Sequence, residues 1–351
     1  MTAVPSTSAR RTRAGFSILR RGGASIGVVV TTLLGLLVLT FVVGRMVPAD
    51  PVIAIIGDQA DQAAYDRVYS DLGLDQPLWR QFASYVGDVV TLDFGESNLT
   101  RNAVSTDLAR VFPATVELAS AALIIGTLLG VPLGVAAAVR RDSWVDHLAR
   151  VVGLVGYSTP IFWLGMMVLL VFYAKLGWVP SGGRVGIYYE GLIEGPTGFL
   201  TLDAILARDW ETARSALYHL MTPALILGYA NTAYISRMSR SFMLEQLQQE
   251  YILTAQAKGA SRQSVVWRHA FGNMRVQLLT VIALAYCGLL DGTVLIETVF
   301  GWPGLGQYLT TALFFADMNA VLGAVLLIGL ISIAINLLCD IAYRMLDPRT
   351  K

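Results

Sequence analysis

Charge is scarce in this sequence: 15% of its 351 residues are Asp, Glu, Lys or Arg, against about 25% in soluble domains. Lysine is scarcer still, at Lys175, Lys258 and Lys351, and none lies in a G-x-x-x-x-G-K-[ST] loop. Phosphate binding of the P-loop kind is therefore excluded from this chain. The 2 cysteines, Cys287 and Cys339, both fall in apolar runs, which excludes a disulfide scaffold. The 3 histidines, His147, His219 and His269, are scattered, with no H-E-x-x-H to hold a metal. A net charge of +1 excludes the broad basic field that nucleic-acid binding uses.

Apolar residues, in contrast, make up 55% of the chain, and the mean hydropathy is +0.58. A helix needs roughly 20 mainly apolar residues to cross about 30 Å of hydrocarbon. Six stretches qualify: Ile26–Val43, Val116–Val139, Val151–Leu176, Leu220–Ile235, Leu278–Val299 and Val321–Tyr343. Barrel strands would alternate over about 10 residues, and these runs do not. The expectation is an all-α membrane protein with six transmembrane helices. Within the second stretch, Gly126, Gly130 and Gly134 recur every four residues, a groove for close packing of another helix, read as one of the same chain in preference to a dimer partner's. The Gly156-Tyr-Ser-Thr-Pro160 run misses a nucleophile elbow and reads as a helix bend.

Basic residues set the orientation. Of 26, 17 precede the first span, follow the last, or lie between spans two and three or four and five. That side should be cytoplasmic, with both termini inside. The other two long connections, Pro48–Val111 and Gly177–Leu217, hold 15 of the 25 acidic residues. The chain accordingly divides into a cytoplasmic segment 1–25, a first span within 26–47, an extracytoplasmic region 48–111 and a five-helix part 112–346. The last contains the outer loop 177–217 and a cytoplasmic loop 237–275. In the region 48–111, Asp61–Leu72 has helical spacing, and Leu72-Gly-Leu-Asp-Gln-Pro77 reads as one helix ending before another starts. A short helix is expected from Asp203.

Near the bilayer, Glu117, Asp291 and Glu297 are candidates for a pathway or gating role. Glu117 and Glu297 fall near span ends, where helix-end hydrogen bonding is an equal alternative. Asp291 is the deepest. The inner loop carries Leu244, Leu247, Tyr251 and Thr254/Ala255 at three- and four-residue spacing, then Gly259 as a helix stop and Ser261 as a cap for a second short helix. A compact helix–turn–helix of this kind suits docking into a partner's groove, although a solvated loop is equally allowed.

Glu250-x-x-x-x-Ala255-x-x-x-Gly259 resembles the coupling loop of permease subunits in binding-protein-dependent ABC importers. Arg237-x-x-Arg240-x-x-Met243-Leu-Glu245, Arg268-His-Ala-x-x-Asn273 and Glu297-Thr-Val-Phe-Gly-Trp-Pro-Gly-Leu-Gly306 resemble the dipeptide, oligopeptide and nickel branch. The likeness extends upstream to Pro113-Ala-Thr-x-Glu117-Leu and Pro160-x-Phe-Trp-Leu-Gly165. One departure is Gln277, where the branch usually has proline at the start of span five.

The resemblance implies a type I importer permease fold in a bacterial inner membrane. It implies a second homologous permease subunit, two ABC ATPases that bind the ATP and Mg, and an extracytoplasmic substrate-binding protein. This chain would bind no cofactor. Glu250, Tyr251, Thr254, Ala255, Lys258 and Gly259 would form the ATPase-coupling loop. Its cargo would be di- or oligopeptides, with nickel or another small solute of the branch as the alternative. An ion-coupled secondary transporter predicts internal repeats and paired intramembrane charges, and an intramembrane hydrolase predicts a nucleophile–base set; neither pattern is evident.

Overall fold

The computed structural model describes residues 27, 29–44, 52–53, 61–71, 73–193 and 195–346. The expected cytoplasmic segment 1–25 lies outside them. Among the described residues the chain is helical, apart from one isolated bridge between Glu96 and Ala103. Two units separate by internal packing, one comprising the chain up to Phe94 with Val325–Ile333, the other Gly95–Ala324 with Ala334–Lys351.

The first unit contains α1 (Val29–Gly44), α2 (Gln62–Asp71) and α3 (Leu78–Val90). The hydroxyls of Thr40 and Tyr85 lie 2.7 Å apart, and Phe41 packs edge-on against Phe82. The helix expected over Asp61–Leu72 is α2. Gly73 then takes a φ of +63° before Pro77 opens α3, as the Leu72–Pro77 pattern requires.

The second unit holds the core. Its helices are α4 (Val104–Val139), α5 (Trp144–Ser158), α6 (Ile161–Lys175), α7 (Leu200–Leu206), α8 (Trp210–Leu247), α9 (Glu250–Ala257), α10 (Ser264–Phe300) and α11 (Leu305–Phe314). A last helix, α12 (Met318–Leu346), runs through both units. The central pair is α4 and α8. A Cβ on Gly126 would lie 2.8 Å from Asn231 Cβ, one on Gly130 3.0 Å from Ile235 Cβ, and one on Gly134 2.7 Å from Ser239 Cβ. Contacts that advance together along both helices show that α4 and α8 run in the same direction. The glycine groove thus seats α8 of the same chain, as its spacing predicted.

Several boundaries depart from the sequence reading. Helix α4 begins at Val104, well before Val116, and carries Pro113 inside it. Asp107 and Arg110 masked its first turns, yet Asp107 is buried, ion-paired with Arg110 at 3.0 Å and hydrogen-bonded by Thr100. The expected third span is two helices, α5 and α6, meeting at 96° across Thr159 and Pro160. Proline lacks an amide and disfavours α geometry in the residue before it, so the anticipated bend becomes a break. Helix α8 spans 38 residues rather than the stretch Leu220–Ile235. Polar residues confine its apolar run to the middle of the helix, but Asn231, Thr232, Ser236 and Ser239 are buried. Among the described residues, 3 helices are long and apolar enough to cross a membrane, α4, α10 and α12 over Met318–Leu338, or up to 4 with the bent pair. The short helix expected from Asp203 is α7, which begins three residues earlier.

Candidate functional site

The inner loop of the sequence reading is mostly helix. Spacing alone carried one helix from Leu244 through Ala255, whereas α8 stops at Leu247 and Gln249 adopts an extended backbone before α9 begins. The second short helix expected after Gly259 is the beginning of α10, which continues to Phe300 without interruption at Gln277. Ser261 caps it as predicted, its Oγ accepting from the Ser264 amide at 3.3 Å.

One side chain fixes α9 to the bundle. Ile252 is 1% exposed and joins a core cluster with Met243, Val265, Val266 and Met274. Tyr251 adds a hydrogen bond from its hydroxyl to Gln246 Oε1 at 2.8 Å, across the break. The opposite face is open: Glu250, Leu253, Thr254 and Lys258 are exposed, with Ala255 half-buried between the two faces. Glu250 is the first residue of the helix, where a carboxylate complements the dipole. The Thr254 hydroxyl turns back to the Glu250 carbonyl at 3.1 Å.

Gly259 ends this helix. Its φ is +82°, its amide donates to Gln256 O at 2.9 Å, and the Ala260 amide donates to Ala255 O at 3.0 Å. This pair of bonds is the Schellman closure, which needs a left-handed residue at that position. No atom lies within 4 Å of where a Cβ would stand. The surface beside Gly259 is therefore flat backbone, open to a partner.

Behind this surface, α8 is locked to α5. Asp146 is fully buried and binds Arg240 at two points, with Arg150 as a further partner at 3.3 Å. Beside that lock, α5 and α8 enclose a cavity of about 500 Å³ lined by Arg150, Leu154, Tyr157, Arg237, Arg240 and Leu244. Arg237 sits over the Tyr157 ring, 5.3 Å from its centroid.

The three candidate acids separate into two kinds. Glu117 ion-pairs with Arg184 and accepts the Thr201 amide at 2.9 Å, so it caps α7. Glu297 is fully buried and accepts the amides of Gly306 and Gln307 at 2.7 and 3.1 Å, capping α11. Trp302 joins these two caps: its indole N–H donates to Ala114 O at 2.9 Å, and the Arg184 guanidinium lies 5.7 Å from its ring. A Cβ on Gly304 would stand 2.6 Å from Glu297 Cδ, so the Trp-Pro-Gly-Leu-Gly run leaves space for this carboxylate. Asp291, by contrast, is exposed on α10, and among the described residues no hydrogen bond or ion pair reaches it.

Sequence reasoning missed Asp146, Arg184 and Ile252. The i, i+4 spacing of Asp146 and Arg150 was the only local signal for the first. Among the described residues no group of three or more His, Cys, Asp or Glu could hold a metal ion.

Residues 130–351 match the family described as "Binding-protein-dependent transport system inner membrane component", and residues 16–119 match the description of its N-terminal part. The probable D,D-dipeptide transport system permease protein of Escherichia coli K12 is 40% identical, over 95% of this chain and 97% of its own length. The di/tripeptide transport system permease protein of Pseudomonas aeruginosa is 39% identical, over 93% of this chain and 97% of its own length. A chain of the MetNI methionine ABC transporter, in an inward-facing conformation, superposes with a TM-score of 0.51 at 17% identity, covering 69% of this chain and 96% of that one.

Proposed function

The chain belongs to the family of binding-protein-dependent transport system inner membrane components, and from that premise we propose that it carries di- or oligopeptides inward, driven by ATPase partners. It is a multi-pass inner-membrane permease subunit with the fold of type I ABC importers. The peptide cargo is supported by relatives whose names specify dipeptides or tripeptides at about 40% identity over nearly the whole chain.

In this reading the chain has six crossings with both termini in the cytoplasm. The parallel course of α4 and α8 supports it, because the bent pair α5–α6 must then return the chain once between them. A second permease subunit completes the pathway, two ATPases hold ATP and Mg on the cytoplasmic face, and a substrate-binding protein delivers cargo from outside. The segment from Glu250 to Gly259 is the point where the ATPases push.

The observation that carries the coupling role is the two-sidedness of α9, which buries Ile252 and leaves Glu250, Leu253, Thr254 and Lys258 uncovered. A helix tethered by one core residue beside an open glycine turn can receive a partner's groove and pass its displacement to α8 and α10.

The test is uptake of a labelled dipeptide by the reconstituted complex. Gly259→Asp meets no neighbouring atom, and its strain is confined to the left-handed backbone of one exposed turn, so the subunit should remain inserted and assembled. Uptake and binding-protein-stimulated ATP hydrolysis should both collapse. Gly259→Asn, which tolerates the left-handed backbone but adds similar bulk, should also impair uptake. Normal uptake by both variants would remove this segment from the mechanism.

A further inference from the structure

We propose that the groove between the end of α4 and the start of α10 seats the phosphate headgroup of an anionic phospholipid. The inference rests on the membrane location of the chain and not on the identity of its cargo. The groove encloses about 420 Å³ and is lined by Pro132, Val135, Val139, Arg140, Arg262 and Trp267. Its position in depth follows from the sequence. The apolar run of α4 ends at Val139 and gives way to Arg140 and Arg141, and Trp267, which precedes the apolar run of α10 by 11 residues, lines the same groove as Val135 and Val139. The groove therefore crosses from hydrocarbon to headgroup level.

Its charge is uncompensated. Arg110, Arg141, Arg150, Arg184 and Arg240 all pair with carboxylates, but among the described residues neither Arg140 nor Arg262 makes an ion pair. One Nη of Arg262 donates to the Val139 carbonyl at 3.3 Å, which holds the guanidinium over the end of α4. Arg140 is exposed at the cap of the same helix. Two guanidiniums above an apolar wall suit a phosphodiester with acyl chains descending past Pro132 and Val135. Trp267, half exposed and packed against Phe271 at 5.3 Å between ring centroids, supplies the amphipathic ring favoured at that level. A free phosphate ion would use the polar end and leave the apolar wall uncovered.

Native mass spectrometry of the whole complex in detergent tests this, with phosphatidylglycerol and phosphatidylcholine of matched chains as probes. Phosphatidylglycerol should be retained on this subunit in preference to phosphatidylcholine, and excess inorganic phosphate should not displace it. Arg140→Gln combined with Arg262→Gln should weaken retention about thirtyfold for the two charges lost. Lysine at both positions should restore most of it. Ala136→Phe fills the apolar wall without altering either arginine, and should lower retention in a complex that still assembles. Equal retention of the two lipids, displacement by phosphate, or undiminished retention in the Gln variant would overturn the proposal. So would loss of the ATPase subunits from the Gln variant with the lipid unchanged, which would make the groove a protein interface.

Discussion

The carboxylate of Asp146 grips the guanidinium of Arg240 at two points, 2.7 Å to Nε and 2.8 Å to Nη2, across 94 residues of chain. The Asp146 side chain is fully buried and that of Arg240 is 25% exposed. The pair joins the start of α5 to the part of α8 that Gly134 clamps, so three helices meet at one ionic contact.

Removing one partner strands the other charge. Asp146→Ala should cost about 3 kcal/mol, the low end for a buried pair because Arg240 retains some water. Thermal unfolding of the purified subunit reads this. Combining Asp146→Ala with Arg240→Ala should cost less than the sum of the single changes by more than about 1 kcal/mol. Strict additivity would mean that the contact contributes nothing as a pair.

The two faces of α9 should respond in opposite ways. Ile252→Ala opens a cavity in the core cluster and should destabilise by about 3 kcal/mol. Leu253→Ala, at a side chain that is 64% exposed, should change stability by no more than about 0.5 kcal/mol. Its effect should instead be fewer ATPase subunits recovered with the permease at equal expression. If Leu253 proved the structural residue and Ile252 the docking residue, the assignment of faces would be wrong.

A third expectation concerns the cap on α11. Gly304→Ala would press its methyl against Glu297 and should cost about 2 kcal/mol. Glu297→Ala removes the acceptor for two amides and should cost a similar amount, about 1–3 kcal/mol. In the double variant the methyl has space to occupy, so the losses should overlap rather than add. A double-mutant cycle on denaturation midpoints measures the overlap, and a coupling near zero would show that the carboxylate does not explain the glycine.

The features legible in the sequence were local ones. The Gly126, Gly130 and Gly134 spacing announced a close helix contact, Pro160 a bend and Gly259 a stop, because each acts within a turn or two of its own backbone. The family likeness likewise rested on short ordered runs. The ionic and hydrogen-bonded closures were not legible. Glu117 with Arg184, or Asp146 with Arg240, pair residues far apart in sequence, and nothing near either partner names the other. Helix α8 was undersized for a related reason. A hydropathy window treats Asn231, Ser236 and Ser239 as costs in lipid, whereas the fold turns them onto protein. The break between α8 and α9 escaped because Leu247 and Tyr251 keep helical spacing across the two glutamines that interrupt it.

The clamp of α4 on α8 has a mechanical consequence. Ile235 marks its middle, and at about 1.5 Å per residue some 18 Å of α8 lies beyond it toward Leu247 and about 38 Å toward Trp210. Were α8 to rock there it would do so as a seesaw with unequal arms, the longer one carrying Pro223. Any rocking about that fulcrum moves the end beside α9 one way and the far end the other way, over about twice the distance. If ATPase partners push beside α9 as proposed, about 2 Å on the short arm would become an opposite swing of about 4 Å on the long one.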